Sequence, residues 1–224
     1  MLASPTVPLR KRRPALLLEN GYRLTSAEFL RRWERLPHLK QAELIDGIVY
    51  IAPPLRADSH AEPDASLHGW LGYYAAHTPG VKVYANPTLI LDCDNTPQPD
   101  SVLCYSPAQG GKAHINRNGY LTGAPELICE VASSSAALDM NAKLNNYRRA
   151  GVQEYIVWLT GEERLCWFIL EDGEYIPLTP RGGLLKSRVF PGLTLDMEAL
   201  LALDGARVLA VQQRYLKKPP RRRN

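Results

Sequence analysis

The stretch "ELICEVASSSAALDMNAKLNNYRRAGVQEYIVWL", residues 126–159, decides the fold of this chain. Its two ends, "ELICEVA" and "EYIVWL", are short and apolar on both faces, which is typical of central strands covered on each side. Between them Leu138, Ala142 and Tyr147 recur near a 3.6-residue period, and Gly151 ends the helix that this period predicts. The helix is long enough for a right-handed crossover between parallel strands. We therefore predict an α/β fold with a mixed sheet flanked by helices.

Shorter signals place further elements on both sides of this unit. Asp46 and Gly47 stand between two strand-like runs and predict a tight hairpin, because both turn residues tolerate a positive φ. The other predicted elements are a helix from Thr25 or Ser26, a helix beginning near Asp64, strands at "VKVYANPTLILD" and "SVLCYS", a hairpin around "EDG" (171–173) and a closing helix in "TLDMEALLAL" (194–203).

The composition is that of one globular domain. The chain has 224 residues, of which 45% are hydrophobic and 22% charged. No apolar run approaches the roughly 18 residues that cross a bilayer, and "PALLLEN" is too short for the core of a signal sequence. We expect a cytoplasmic protein with no membrane contact.

The four cysteines are scattered without a C-x-x-C pair, which predicts reduced core residues and no zinc site.

Positive charge is concentrated near the two ends of the chain. Residues 10–13 are all basic, and residues 217–223 contain five more basic residues. Subtracting these nine charges from the formal +4 leaves −5 for the rest of the chain. We predict a basic N-terminal arm (1–18), a single domain (19–205) and a basic C-terminal tail (206–224). Such arms either improve solubility or contact the phosphates of a nucleic acid, and the composition leaves both open.

Glu130 is the one carboxylate inside a strand whose two faces both look buried. Alternation places it on the same face as Ile128 and Ala132. An unpaired buried carboxylate costs several kcal/mol, so it protonates, pairs or binds a metal. Three interpretations follow: an ion pair with a buried Arg or Lys, a position at the solvent-facing end of the strand, or a metal ligand.

Other polar residues could converge on Glu130. Asp100 precedes the strand "SVLCYS", where the simpler interpretation is a turn residue. Asp139, Lys143 and Tyr147 share one helix face at i, i+4 and i+8, where the simpler interpretation of the first two is a surface ion pair. The functional interpretation is that Lys143 leans toward Glu130. Three serines, 133–135, form the bend, with Ser134 or Ser135 expected to cap the helix.

An ordered set of motifs resembles a known family. The motifs are "ELIDG" (43–47), His60, "QPD" (98–100), "GAPELICEVASSS" (123–135), "DMNAKLNNYRRAGVQEYIVW" (139–158) and "FPGLTLD" (190–196). In this order they resemble the Uma-two family of "putative restriction endonucleases". The resemblance implies a restriction-endonuclease-like fold with a metal-dependent nuclease centre of the PD-(D/E)XK type.

The resemblance also implies roles for individual residues. Asp100 and Glu130 would ligate magnesium, with manganese as an alternative. The motif's lysine would fall at position 132, where this chain has Ala132, and the family's lysine corresponds instead to Lys143. Glu43 would complete the metal site or orient a water.

Three further residues have supporting roles in the prediction. His60 and Tyr147 match family positions, and with Ser133 they would contact the substrate or support the ligands. Relatives often have "SPS" where this chain has "SSS", which loosens the bend without removing a ligand.

The implied activity is magnesium-dependent hydrolysis of DNA phosphodiester bonds, with DNA as the partner and a homodimer as one possible assembly. Because the body of the chain is acidic, DNA binding would depend on the arms or on a basic strip of Lys143, Arg148 and Arg149. Two alternatives remain open: a nucleic-acid-binding module without chemistry, and a partner-binding protein in which the acids and Lys143 form a buried ion-pair cluster.

Overall fold

A computed structural model describes residues 18–216, so both groups of basic residues, 10–13 and 217–223, lie outside the described residues. The strands are β1 (Ala42–Ile45), β2 (Ile48–Ile51), β3 (Val81–Ala85), β4 (Leu89–Ile90), β5 (Ser101–Tyr105), β6 (His114–Ile115), β7 (Leu121–Thr122), β8 (Leu127–Ala132), β9 (Glu154–Leu159), β10 (Arg164–Glu171), β11 (Glu174–Pro177), β12 (Leu184–Lys186) and β13 (Thr194–Asp196). The α-helices are α1 (Ser26–Trp33), α2 (Glu62–Ala76), α3 (Ala136–Leu138), α4 (Leu144–Ala150), α5 (Met197–Leu201) and α6 (Gly205–Leu216). Two π-helical turns, Ala57–Ala61 and Asp139–Lys143, precede α2 and join α3 to α4.

A six-stranded mixed sheet forms the centre, in the order β11-β10-β9-β8-β5-β3. Only its β8–β9 pair is parallel, and these two strands are joined by α3, the second π-helical turn and α4. The strand, helix, strand unit predicted from residues 126–159 is therefore confirmed, as is the mixed α/β class.

Each face of the sheet is covered by its own apolar core. Leu127, Cys129 and Val131 of β8 pack with side chains of α2 and of the C-terminal helices. Ile128 and Ala132 of β8 pack on the opposite side with residues of α4 and of the small sheet β4-β7-β6. The strong apolarity of β8 and β9 arises from this two-sided cover.

Three of the local turn and capping signals are confirmed. Asp46 (φ 50°) and Gly47 (φ 72°) join β1 to β2, and an Asp-Gly pair at 172–173 joins β10 to β11 in the same way. Thr25 is the N-cap of α1, where its side chain accepts a hydrogen bond from the backbone N–H of Glu28. A third apolar cluster fixes the β1–β2 hairpin against α1 through Phe29.

Three observations differ from the sequence-based predictions. Helix α2 begins at Glu62, with Pro63 accommodated in its first turn, where a missing N–H costs little. Ser135 occupies the N-cap position of α3 without a capping side-chain hydrogen bond. Cys93 is exposed rather than in the core, because it lies in the turn after β4, whereas Cys104 and Cys129 are buried; all four cysteines are free.

Helix α6 spans residue 206, where the sequence predicted the start of a basic tail, and packs against α2 and β13. Gln212 of this helix is fully buried and accepts hydrogen bonds from the Trp70 indole (3.1 Å) and the Thr194 amide (3.0 Å). None of the helices within residues 18–216 has both the length and the apolar character of a membrane span.

Candidate active site

Two adjacent strands bring Asp100 and Glu130 to the same place. Ser101 of β5 pairs with Cys129 of antiparallel β8, so extending the register by one residue puts Asp100 opposite Glu130. Asp100 Oδ2 also accepts a hydrogen bond of 2.7 Å from the backbone N–H of Val131, which fixes the carboxylate against β8. The predicted convergence of these two acids is therefore present.

Glu130 is 3% exposed and lies on the face of β8 that also carries Ile128 and Ala132. Its Oε1 accepts a hydrogen bond of 2.8 Å from the Tyr147 hydroxyl, and the Lys143 ammonium lies 2.8 Å from the same oxygen. Of the three interpretations of Glu130, the solvent-facing position is thus wrong and the buried ion pair is present. A metal-ligand role is compatible with this geometry.

Lys143 is surrounded by carboxylates. Besides Glu130, its ammonium lies 3.0 Å from Glu43 Oε1 and 3.0 Å from Asp139 Oδ1, and the residue is 3% exposed. Burial lowers the pKa of Lys143, but Asp139, Glu130 and Glu43 outweigh it, so that its pKa is raised well above the usual range. Asp139 is 1% exposed, so it belongs to a buried cluster rather than to a surface ion pair.

The β1–β2 hairpin and the second π-helical turn position Lys143 and the other carboxylates that contact it. The β1–β2 hairpin presents Glu43, whose Oε1 also accepts a hydrogen bond of 2.8 Å from the amide of Gln98. The π-helical turn Asp139–Lys143 carries both Asp139 and Lys143 toward the sheet. The Lys143 ammonium therefore lies beside Glu130, the residue toward which the sequence predicted that it leans.

His60 lies beside Asp100, with 3.4 Å between its Nε2 and Asp100 Oδ1. Its hydrogen bond with Asp100 raises the pKa of His60, and burial opposes this rise. Asp64 is a neighbour that the sequence-based prediction missed; burial, together with the negative charge of Asp100, raises its pKa to about 6. The spacing of four residues between His60 and Asp64 was the signal available, because such residues meet on one helical face.

The described residues of the site carry more negative than positive charge. Lys143 and His60 face five acidic side chains, namely Glu43, Asp64, Asp100, Glu130 and Asp139. Burial raises the pKa of Glu130 well above its usual range; Lys143 opposes the rise and the neighbouring acids add to it. A cation entering the site would offset this excess negative charge.

The site opens into a pocket of about 580 Å³. Its lining includes Glu43, His60, Asp100, Glu130, Ser133 and Lys143. Tyr147 is fully buried and does not line the pocket, but its hydroxyl donates a hydrogen bond to Glu130, which does. The predicted site residues thus meet at one pocket, with Tyr147 in a supporting position.

The donor set fits a small cation that keeps several waters. Three buried atoms near Asp100 have no hydrogen-bond partner: His60 Nδ1, Asp64 Oδ1 and Gln98 Oε1. Within residues 18–216, no group of three or more His, Cys, Asp or Glu side chains is arranged so that it could hold a metal ion. Asp100 and Glu130 alone suit magnesium, which binds through one or two carboxylates plus water and phosphate, better than zinc or calcium.

The basic strip predicted from Lys143, Arg148 and Arg149 does not form. Lys143 is buried among acids, Arg148 pairs with Glu174 (3.0 Å), and Arg149 pairs with Asp46 (2.9 Å). Arg148 and Arg149 attach α4 to residues at the β10–β11 and β1–β2 turns.

Comparison with solved structures defines the class of this fold. The structure of a putative nuclease belonging to DUF820 from Anabaena variabilis ATCC 29413 superposes with a TM-score of 0.60 at 14% sequence identity, covering 78% of this chain and 97% of that one. The fold is restriction-endonuclease-like, as the sequence predicted.

The family follows from the sequence itself. The family model Uma2, described as "putative restriction endonuclease", matches residues 27–198. The chain belongs to the Uma2 family. No match was found among curated proteins.

Proposed function

We propose that this protein is a magnesium-dependent cytoplasmic endonuclease that hydrolyses DNA phosphodiester bonds in the pocket containing Asp100 and Glu130. The observation that carries the proposal is the excess negative charge of a buried acidic cluster at the wall of an open pocket, within the residues that match the family model. Burying such charge without a counter-ion is unfavourable for stability, which suggests that the cluster serves to bind a cation.

The positions of the site residues suggest a separate role for each of them. Asp100 and Glu130 would hold magnesium, or manganese in its place. When bound, the metal supplies a Lewis acid for a phosphoryl oxygen and a water of lowered pKa. Lys143 stays protonated among its carboxylates, so it acts as a fixed positive charge that orients Glu130 and Glu43 and not as a base.

The remaining residues hold this arrangement in place. Glu43 bridges Lys143 and the Gln98 amide, which ties the hairpin to the segment that leads into Asp100. His60 lies close enough to Asp100 to orient it, and the Tyr147 hydroxyl orients Glu130. Ser133 lines the pocket, where its hydroxyl would contact the substrate. Nucleases that cut both strands of a duplex often act as dimers, and a homodimer of this protein would bring two such sites together.

Plasmid cleavage in magnesium tests the proposal directly. Glu130→Gln and Asp100→Asn should abolish nicking while the proteins stay folded by circular dichroism. Glu154→Gln is the matched control, because Glu154 is an equally buried acid on β9 that bonds to Ser187 and the amide of Arg188 instead. Nicking that persists in both site variants would contradict the assignment.

Lys143 already occupies Glu130 Oε1, and this observation favours a second candidate, a buried ion-pair cluster in a partner-binding protein. The melting temperature separates the two. Magnesium stabilises the folded state if it binds there, by about 2.7 kcal/mol at a hundredfold excess over Kd. We expect magnesium to raise the melting temperature of the wild type and not that of Asp100→Asn. DNA binding without cleavage in any metal would instead indicate a module whose chemistry has lapsed.

A further inference from the structure

Arg56 is the second cation of the pocket. Among the described residues that line the pocket, only Lys143 and Arg56 carry a full positive charge. Lys143 is buried and held by three carboxylates. Arg56 is exposed, at the end of the segment 52–56 between β2 and the first π-helical turn. Within residues 18–216 its guanidinium makes no ion pair.

A phosphodiester entering this pocket would meet like charge on most sides. Glu43, Asp100 and Glu130 all line the pocket and repel an anion. A guanidinium offsets this repulsion well, because its planar donors match two oxygens of one phosphate. Arg56 is placed to supply these donors without giving up an existing partner.

The segment that carries Arg56 also suits a contact with nucleic acid. Pro53 and Pro54 restrict the backbone, so fewer conformations are lost when Arg56 becomes fixed on a ligand. Leu55 is 48% exposed in the same lining and offers an apolar surface beside the charge. A nucleotide is complementary to this surface, because its sugar has an apolar face next to a negatively charged phosphate.

We propose that Arg56 is the residue through which the pocket holds a backbone phosphate of DNA next to Asp100 and Glu130. The inference rests on the proposed function. It assigns to Arg56 the phosphate contact that the basic strip on α4 does not provide.

Metal-free binding of the full chain to fluorescent duplexes, measured across a salt series, tests the proposal. Each phosphate contact contributes about 0.9 to the slope of log affinity against log salt. We expect Arg56→Gln to lower that slope by about 0.9 and to weaken binding at low salt on the order of tenfold, equally for every duplex sequence. Arg56→Lys should keep the slope, since it keeps the charge. The matched control is Arg117→Gln, an exposed arginine outside the pocket lining, which should bind as the wild type does.

The outcomes separate this inference from the proposed function. A wild type that cleaves DNA in magnesium, combined with an unchanged slope and KM in Arg56→Gln, would overturn the role of Arg56 alone. An effect limited to one base composition would overturn the phosphate assignment, because phosphate contacts carry no sequence information. A wild type that neither binds nor cleaves DNA at low salt would overturn both.

Discussion

Tyr147 and Glu130 form a hydrogen bond that water does not reach. Both residues are buried, and the 2.8 Å contact between the hydroxyl and Oε1 satisfies one acceptor position of the carboxylate. Lys143 contacts the same oxygen. The orientation of Glu130 in the pocket therefore depends on both neighbours.

Tyr147→Phe removes only the hydroxyl. We expect a loss of roughly 1–3 kcal/mol in the free energy of unfolding, measured with urea, because a buried charged acceptor loses a donor. Tyr175→Phe is the control, since its hydroxyl donates to the Val152 carbonyl (2.9 Å), away from the pocket. Both variants should lose stability, and only Tyr147→Phe should slow DNA cleavage. Equal cleavage rates would show that Tyr147 is not needed to orient Glu130.

Lys143→Met removes the cation and leaves its carboxylates buried. We expect a loss of roughly 3–5 kcal/mol of stability, since uncompensated buried charge is strongly unfavourable. Adding Glu130→Gln to this variant should restore part of the loss, because the two residues are in contact and their effects are not additive. Strict additivity in urea unfolding would contradict a direct ion pair.

At the scale of elements, the β1–β2 hairpin links turn chemistry to the site. Gly47 adopts φ 72° in the turn, and the strand before the turn carries Glu43. Gly173 adopts φ 83° in the corresponding turn between β10 and β11, far along the sheet from the pocket. A methyl group at Gly47 would lie 3.4 Å from the Leu24 carbonyl oxygen, an ordinary contact distance, and one at Gly173 would meet nothing within 4 Å.

Gly47→Ala and Gly173→Ala should therefore each cost about 1 kcal/mol, from the strain of a positive φ. Only Gly47→Ala should also lower cleavage, because it shifts the hairpin that positions Glu43. Thermal unfolding and cleavage assays on the two purified variants measure both effects. A normal cleavage rate in Gly47→Ala would indicate that Glu43 tolerates movement of the hairpin.

Elements with a strong local signal were predictable. The Asp-Gly turns, the Thr25 cap and the apolar runs of β8 and β9 each have a local physical cause that is visible in the sequence. The two π-helical turns were not predictable, because one extra residue in a turn leaves no periodic pattern. Helix α6 was hidden for a similar reason, since only Val208 and the polar Gln212 of this helix are buried and its basic surroundings resemble a tail.

The candidate site, like the fold, was predictable from the sequence only where the signal is local. The sequence indicated that Glu130 needs a partner and that Lys143 could reach it. It did not indicate that three carboxylates would share Lys143, because Glu43 comes from a distant hairpin and the contact is tertiary. Asp64 was missed because its four-residue spacing from His60 is a weak signal by itself, and its importance arises from the fold that buries it near Asp100.

At the scale of the whole molecule, the excess of buried acid makes stability depend on pH. The folded state raises the pKa of Asp64 to about 6, against about 3.9 in an unfolded chain. Between these values the folded state binds the proton more tightly, so the stabilisation is full below pH 4 and is lost as pH rises through 6. Glu130 and Glu154, whose pKa values burial also raises, act in the same direction.

Asp64→Asn isolates this contribution. We expect its stability relative to the wild type to be greater at pH 7.5 than at pH 4, by on the order of 1 kcal/mol, because partial exposure screens the effect. Urea unfolding in EDTA at the two pH values gives the difference. A relative stability that does not change with pH would contradict the raised pKa.

The helical crossover between β8 and β9 also links the site to local opening of the molecule. Tyr155 donates to the Asp139 carbonyl (3.1 Å), and Asn146 donates to Asn95 (2.6 Å), so the crossover is attached to the sheet on one side and to a distant turn on the other. If the crossover moved away from the sheet, Glu43 and Glu130 would lose their contact with the Lys143 ammonium. Amide protons of residues 144–150 should therefore exchange with solvent only when the entire chain unfolds, so the cation and the carboxylates remain together for as long as the protein is folded.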